Sequence, residues 1–138
     1  MDDLSERIRI ELENIDRVFN EMPLYSKLPK LSSLELAGVA ALLHNFYTGV
    51  ENIIKQILVS KEVPIPQGAS WHKELLEAAV RKKVISIELT DHLIPFLGFR
   101  HFFSHAYALD LHSDKMELLV KDSVKTYSLF KDELKKFR

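Results

Sequence analysis

The sequence contains no cysteine, and it has few residues that interrupt regular structure, with four glycines and five prolines. The missing cysteines exclude a disulfide framework, zinc sites with cysteine ligands and a cysteine nucleophile. Disulfides persist mainly in oxidising compartments, so a chain without cysteine is compatible with the cytoplasm. We therefore expect a cytoplasmic protein whose chemistry, if it has any, comes from other side chains.

Long hydrophobic stretches are also missing. The longest apolar run, Leu36–Leu43, is far shorter than the roughly 20 residues that a membrane span requires. The sequence begins Met-Asp-Asp and lacks the basic region and the apolar segment of a secretory signal. Both absences favour the same cytoplasmic placement.

No charge of one sign dominates, since the formal net charge is −1. Proteins that coat nucleic acid through electrostatic attraction are usually basic, so this class is not expected, although RNA can still be held at one local site. What the sequence does contain is 46% apolar and 28% charged residues, a composition typical of a globular domain. The length predicts a single domain over residues 1–138.

Apolar residues recur at three- and four-residue spacing along most of the chain, which predicts amphipathic helices. Ser32 and Glu35 have the spacing of a capping box, which marks the start of a helix. The two-residue alternation typical of strands is hard to find. We therefore predict an all-α fold, an antiparallel bundle of about five helices. The predicted helices span about Leu4–Met22, Ser33–Ser60, Ser70–Lys82, Ile87–Tyr107 and Lys115–Phe137.

Polar side chains gather near the end of the fourth predicted helix. Before Arg100 this helix is apolar nearly all round, which predicts a buried central helix. The polar positions then share one arc, and Phe99, Phe102 and Phe103 occupy the other as core residues. Taking Arg100 as 0° and a turn of about 100° per residue, the others fall at about 40° for Ser104, 100° for His101, 140° for His105 and 340° for Tyr107.

An arginine and a histidine in one cluster suit the cleavage of RNA. A guanidinium holds a phosphate through two hydrogen bonds and stays charged at physiological pH. An imidazole can accept and return a proton near neutral pH. The attacking group is the substrate's own 2′-hydroxyl, so the reaction requires neither a protein nucleophile nor a metal ion.

The motif that ends the fourth helix resembles a known family. Arg100, four intervening residues and His105 resemble the Arg-x4–6-His signature of HEPN domains, and Tyr107 extends it to Arg-x4-His-x-Tyr. The longer form resembles the HepT toxins of the bacterial HepT–MntA toxin–antitoxin pairs. The segments Phe46–Ile53 and Ser70–His72 are also similar to that family, so the resemblance covers most of the chain.

The resemblance implies a helical bundle that forms a homodimer, with the motif near the dimer interface. It implies a metal-independent endoribonuclease, with tRNA among its expected substrates, that uses Arg100 and His105 and needs no cofactor. It further implies that a nucleotidyltransferase antitoxin of the MntA type silences the toxin by adding AMP to Tyr107. Ser104, His101, Glu51 and His72 are candidates to assist.

The same residues have simpler interpretations. Arg100 could pair with a carboxylate, either Glu51 or Asp110, and Glu51 could equally orient Arg100 or be an ordinary polar residue. His101 and His105 have a spacing that can bind a metal, but no carboxylate occupies a helpful third position, so no metal site is expected. His72 follows Trp71 and is more often a first-turn or core histidine than a catalytic one.

Two other functions remain open at this point. The first is a HEPN domain without catalytic activity that binds a nucleotide or acts as a scaffold for a nucleotidyltransferase. The second is a purely structural bundle in which the polar arc is packed and inaccessible. Cleavage of RNA by the isolated chain, lost on His105→Ala, would separate the enzyme from both.

Overall fold

The computed structural model describes residues 3–138, and within them the chain is all-α. The part of the chain that is described contains five α-helices and three short 3₁₀ turns, with no β-strand. The prediction of a bundle of about five helices is confirmed. The helices are α1 (Asp3–Glu21), α2 (Ser33–Ser60), α3 (Trp71–Arg81), α4 (Ile87–His105) and α5 (Ser113–Leu134), and the turns are Tyr25–Lys30, Ala108–Asp110 and Lys135–Phe137.

Helix α2 is the centre of the bundle. It begins where the sequence predicts, because the Ser32 hydroxyl accepts a hydrogen bond from the Glu35 amide (3.1 Å) and the Ser32 amide donates to the Glu35 carboxylate (2.9 Å). It packs against all four other helices and has buried residues along its whole length. The bundle is therefore built around α2, and the fourth helix is not the central one.

The two remaining long helices are fixed against this centre by close contacts. A side chain at Gly49 would place its Cβ only 2.6 Å from Ile15 Cγ1, so glycine is what lets α1 lie so near α2. On α5, the Tyr127 hydroxyl lies 2.7 Å from the Asp16 carboxylate and 3.2 Å from the Leu12 carbonyl oxygen, which ties α5 to α1. None of the helices in residues 3–138 combines the length and apolar character of a membrane span.

Helix α4 differs from its prediction in one respect that matters for the site. Leu89, Leu93 and Phe96 are buried, but Ile94 and Phe102 are 46% and 44% exposed. A helix that is apolar all round is usually buried, whereas here α2, α3 and α5 cover only part of its circumference. We call the uncovered residues the α4 stripe: Ile94, Pro95, Gly98, His101, Phe102 and His105.

Candidate active site

Three helices bring a carboxylate, an imidazole and a guanidinium together in the interior. Glu51 of α2 is only 2% exposed, and its Oε2 atom lies 2.7 Å from Nδ1 of His72, the second residue of α3. Its other oxygen, Oε1, lies 3.7 Å from Nε of Arg100 on α4. We call Glu51, His72 and Arg100 the carboxylate cluster. The structure thus selects Glu51 over Asp110 as the partner of Arg100.

Burial decides the electrostatics of this cluster. Removal from water raises the pKa of Glu51 above the ordinary value of a glutamate, and the hydrogen bond and charge of His72, then the charges of Arg100 and Lys55, act in the opposite direction. A carboxylate held at this depth is costly without cationic partners. His72 and Arg100 are therefore part of what allows a glutamate at this position.

Arg100 is positioned by an ion pair and can still bind an anion. Its side chain is 25% exposed, so the guanidinium reaches the surface beside the buried carboxylate. Its Nε atom is buried and has no hydrogen-bond partner, since the 3.7 Å approach of Glu51 is an ion pair but not a hydrogen bond. The group is oriented by charge and retains capacity to bind an anion.

His44 is a fourth member of this region, and it was missed by the motif, which lies on another helix. It precedes Glu51 by seven residues, two turns of α2, so the two share one face of the helix. Its ring lies 5.4 Å from that of Phe103 on α4. Burial, the positive charge of Arg100 and, less strongly, that of His72 lower the pKa of His44, against a hydrogen bond with Asn45 that raises it. The neutral imidazole is therefore favoured beside the guanidinium.

His105 lies on a different side of α4 from Arg100. Together with His101 it borders a groove of about 1030 Å³ between α4 and α5, and the rings of the two histidines lie 4.9 Å apart in an edge-to-face arrangement. The groove has a largely apolar lining, which includes Pro95, Gly98, Phe99, Phe102, Leu111, Met116, Leu118 and Leu119. The predicted polar arc is thus two separate surfaces.

Tyr107 does not occupy the predicted helical position. α4 ends at His105, and both Ala106 and Tyr107 have extended backbone angles, so the angle of 340° on a helix does not apply. The Tyr107 amide instead donates to the Asp110 carboxylate (3.2 Å), and its carbonyl oxygen accepts from the Asp110 amide (2.9 Å). The side chain is 81% exposed, which agrees with a phenol directed toward solvent.

The comparisons with known proteins place this geometry in a family. The family described as HepT-like protein matches residues 38–138, a range that holds the carboxylate cluster, His44, the α4 stripe and Tyr107. The chain belongs to the HepT-like family of HEPN proteins. Searches of curated proteins and of solved structures found no match. As a HepT-like protein, it is a HEPN-type domain related to toxins, and the HepT family is associated with toxin–antitoxin systems.

Two assisting candidates of this HepT-like chain have ordinary structural partners. The Ser104 hydroxyl donates to the Arg100 carbonyl oxygen (2.9 Å), a bond within the helix that turns it away from the Arg100 side chain. His101 contacts His105 but not the carboxylate cluster. Among residues 3–138 no three acidic or histidine side chains are arranged to hold a metal ion. The strongest assisting candidates are therefore Glu51 and His72.

Proposed function

We propose that this HepT-like protein is the toxin of a toxin–antitoxin pair and acts as a metal-independent endoribonuclease. The observation that carries the proposal is the state of Arg100, a guanidinium anchored beside a buried carboxylate yet open to solvent and five residues from an exposed histidine. Such a group can hold a phosphodiester while the histidine exchanges protons. We propose tRNA as one candidate substrate.

The proposed reaction is an internal transesterification of RNA. The 2′-hydroxyl loses its proton to a base, its oxygen attacks the adjacent phosphorus, and the bond from phosphorus to the 5′-oxygen breaks. The leaving oxygen takes a proton, so the products are a 2′,3′-cyclic phosphate and a free 5′-hydroxyl. Arg100 stabilises the negative charge that builds up at phosphorus, and His105 is the base or the acid.

A second copy of the chain completes the proposed site. Arg100 and His105 point to different sides of α4 in one chain, and the angle between them on a helix is about 140°. The α4 stripe leaves Ile94 and Phe102 exposed beside His101 and His105. A two-fold contact through this stripe would bury these apolar side chains and bring the histidines of one protomer toward the arginine of the other.

The proposed regulation acts at Tyr107. A nucleotidyltransferase antitoxin of the MntA type would add AMP to its hydroxyl, which needs a phenol that the transferase can reach. At 81% exposure, on an extended segment next to the end of α4, Tyr107 meets that requirement. The added phosphate and nucleoside would bring negative charge and bulk close to His105 and the substrate groove.

Cleavage by the isolated chain tests the proposed activity. Labelled RNA should be cut in excess EDTA and leave 2′,3′-cyclic phosphate ends, and RNA with a 2′-deoxy residue at the cleaved position should resist. Strict dependence on an added divalent metal would contradict the proposed chemistry. It would also favour the alternative in which His101 and His105 bind a metal ion.

A second candidate function rests on the ion pair between Arg100 and Glu51. If that pair is only structural, the chain is a HEPN domain without catalytic activity that binds a nucleotide or acts as a scaffold for a nucleotidyltransferase. The same assay separates the two functions. A folded chain that binds the transferase but leaves every RNA intact would favour the scaffold.

A further inference from the structure

The carboxylate cluster has a geometry that a merely structural ion pair does not require. We propose, resting on the proposed function, that Glu51 and His72 are positioning residues for Arg100 and that they couple phosphate binding at Arg100 to protonation of His72. No helix of the bundle holds two of these three side chains, since Glu51 lies on α2, His72 on α3 and Arg100 on α4. The coupling therefore runs across three elements through one carboxylate.

The first step of the argument is the way that the carboxylate is shared. His72 Nδ1 is at hydrogen-bond distance from one oxygen of Glu51 (2.7 Å), whereas Arg100 Nε stays at 3.7 Å from the other. The carboxylate is 2% exposed and so has little water to replace either partner. It holds the guanidinium in place by charge without a hydrogen bond to the Nε atom, while the side chain stays partly exposed.

The second step is the set of charged groups around Glu51. These are His72 from α3, Arg100 from α4 and Lys55 from α2 itself. Lys55 lies 4.1 Å from the centre of the Trp71 ring. Tyr47, also on α2, has a buried hydroxyl without a partner, and burial first and the Glu51 charge second raise its pKa, so it stays neutral. His72 is thus the imidazole among the groups that face Glu51, and it is the one hydrogen-bonded to the carboxylate.

The third step is a linkage between phosphate and proton. A phosphate on Arg100 adds negative charge near His72 and draws the guanidinium away from Glu51. Both changes favour a protonated His72, which then carries more of the neutralisation of Glu51. Because linkage is reciprocal, a protonated His72 should in turn strengthen phosphate binding. His44 faces both Arg100 and His72, so its titration must be followed separately.

Histidine NMR on the whole chain tests this coupling without relying on RNA cleavage. The probe is sulfate, which mimics phosphate and has a constant charge of about −2 between pH 5 and 8. The titration midpoint of His72 is measured with and without saturating sulfate, with the signals assigned from His72→Asn and His44→Asn. We expect sulfate to raise the midpoint of His72 by several tenths of a pH unit in the unaltered chain. The shift should vanish in Arg100→Gln and fall to less than half in Glu51→Gln.

Glu77→Gln is the matched control, since it removes one negative charge from an exposed position on α3. It should keep the full sulfate effect. A His72 midpoint that sulfate leaves unchanged in the unaltered chain would overturn the proposal, as would an equal shift in Glu51→Gln. The first of these outcomes needs no variant, so a folding defect in Glu51→Gln does not remove the test.

Kinetics add a readout that separates this inference from the proposed function. If the chain cleaves RNA, KM should rise with pH as His72 loses its proton. His72→Asn keeps a side-chain donor but cannot become charged, so the part of the KM rise that is due to His72 should be missing in this variant. Cleavage that depends on Arg100 with identical KM profiles for both chains would overturn the inference and leave the enzyme standing. Absence of all cleavage would count against the enzyme, while the NMR result would still decide the coupling.

Discussion

The two sides of α4 are built in opposite ways. On the side that faces α2 and α3, Arg100 is held by a carboxylate that is 2% exposed and is itself fixed by His72. On the side toward α5, His101 and His105 contact each other and border a wide apolar groove, and Phe102, which also lines it, is 44% exposed. Arg100 is therefore fixed by partners within its own chain, whereas His105 lies beside an uncovered groove.

The comparison indicates what orients the two motif residues, Arg100 and His105. Arg100 is positioned by the interior of its own bundle, so folding alone suffices to orient it. His105 contacts His101 and borders the groove, so in the proposed dimer its orientation would be completed by the chain that covers the α4 stripe. A site assembled in this way is expected to be complete only when a second surface is present.

The largest expected effects come from removing either half of the motif. Arg100→Ala and His105→Ala should each lower the rate of RNA cleavage by at least about 100-fold, since they remove the phosphate-binding charge and the proton-transfer group. Circular dichroism and urea unfolding should show the asymmetry of the two sides. His105→Ala should leave the urea midpoint unchanged. Arg100→Ala should lower the urea midpoint, because it leaves Glu51 without one of its cations. Near-normal cleavage by the folded double variant would remove both residues from the mechanism.

Mixing the two inactive variants asks whether one site draws on both chains. If each site takes Arg100 from one protomer and His105 from the other, co-expressed Arg100→Ala and His105→Ala chains should recover about a quarter of the normal rate. Half of the dimers are then mixed, and each mixed dimer has one intact site of two. A mixture that stays as inactive as its components would show that the site is contained within one chain or needs both copies of each residue.

The proposed dimer depends on the α4 stripe. Phe102→Asp places a charge in the α4 stripe and should weaken self-association by about 100-fold or more, with the monomer still folded because Phe102 is not part of the core. Sedimentation measures the association. Val124→Asp is the control, since Val124 is 65% exposed on α5 but does not line the groove. Equal effects of the two changes would argue against the α4 stripe as the interface.

A smaller effect on catalysis is expected at Tyr107. Tyr107→Phe should cleave RNA within about threefold of the normal rate, because the change removes only the hydroxyl of a side chain that is 81% exposed, yet it should escape silencing by the proposed transferase and ATP. Peptide mass spectrometry should locate AMP on Tyr107 of the unaltered chain. Tyr25 and Tyr127 serve as internal controls, and AMP on either of them would reject this regulatory site.

The smallest expected effect concerns stability. Burial raises the pKa of Glu51, so ionising this side chain costs more in the folded state than in the unfolded chain, and its contribution to stability declines as the pH rises from the ordinary glutamate range through the raised pKa. Glu51→Gln does not titrate, so it should gain stability relative to the unaltered chain as the pH rises from 5 to 7.5. Urea unfolding at both pH values measures this gain. A stability difference that is independent of pH would mean that Glu51 does not titrate in this way.

Local sequence signals predicted the fold well where they were strong. The capping box at Ser32 and Glu35 gave the first residue of α2, and the proline-rich segment after Ser60 gave its last. No glycine or proline follows His105 directly, so the sequence offered no sign that α4 ends there and that Tyr107 leaves the helix. The burial of α4 was overestimated because apolar residues on all sides do not reveal whether the cover comes from the same chain.

The candidate site was predictable only as far as one helix extends. The motif placed Arg100 and His105, and Glu51 was one of two carboxylates considered for Arg100. His44 was not found, because its role depends on how α2 packs against α4 and it lies 56 positions before Arg100 by numbering. The separation of Arg100 from His105 likewise depends on which neighbours cover each side of α4. Distances of this kind are set by tertiary packing and leave no trace in residue spacing.

The extended exit from α4 at Ala106 and Tyr107 has a consequence for how such a protein could be controlled. An enzyme that binds its target tyrosine in an extended segment would have to unwind a helix before it could modify a tyrosine within one. Here the backbone at Tyr107 is already extended, and the short turn that follows is closed by Asp110 and packs against α2. If the proposed transferase binds this segment as it stands, the chain would be silenced while fully folded, and neutralisation would compete with substrate binding and not with unfolding.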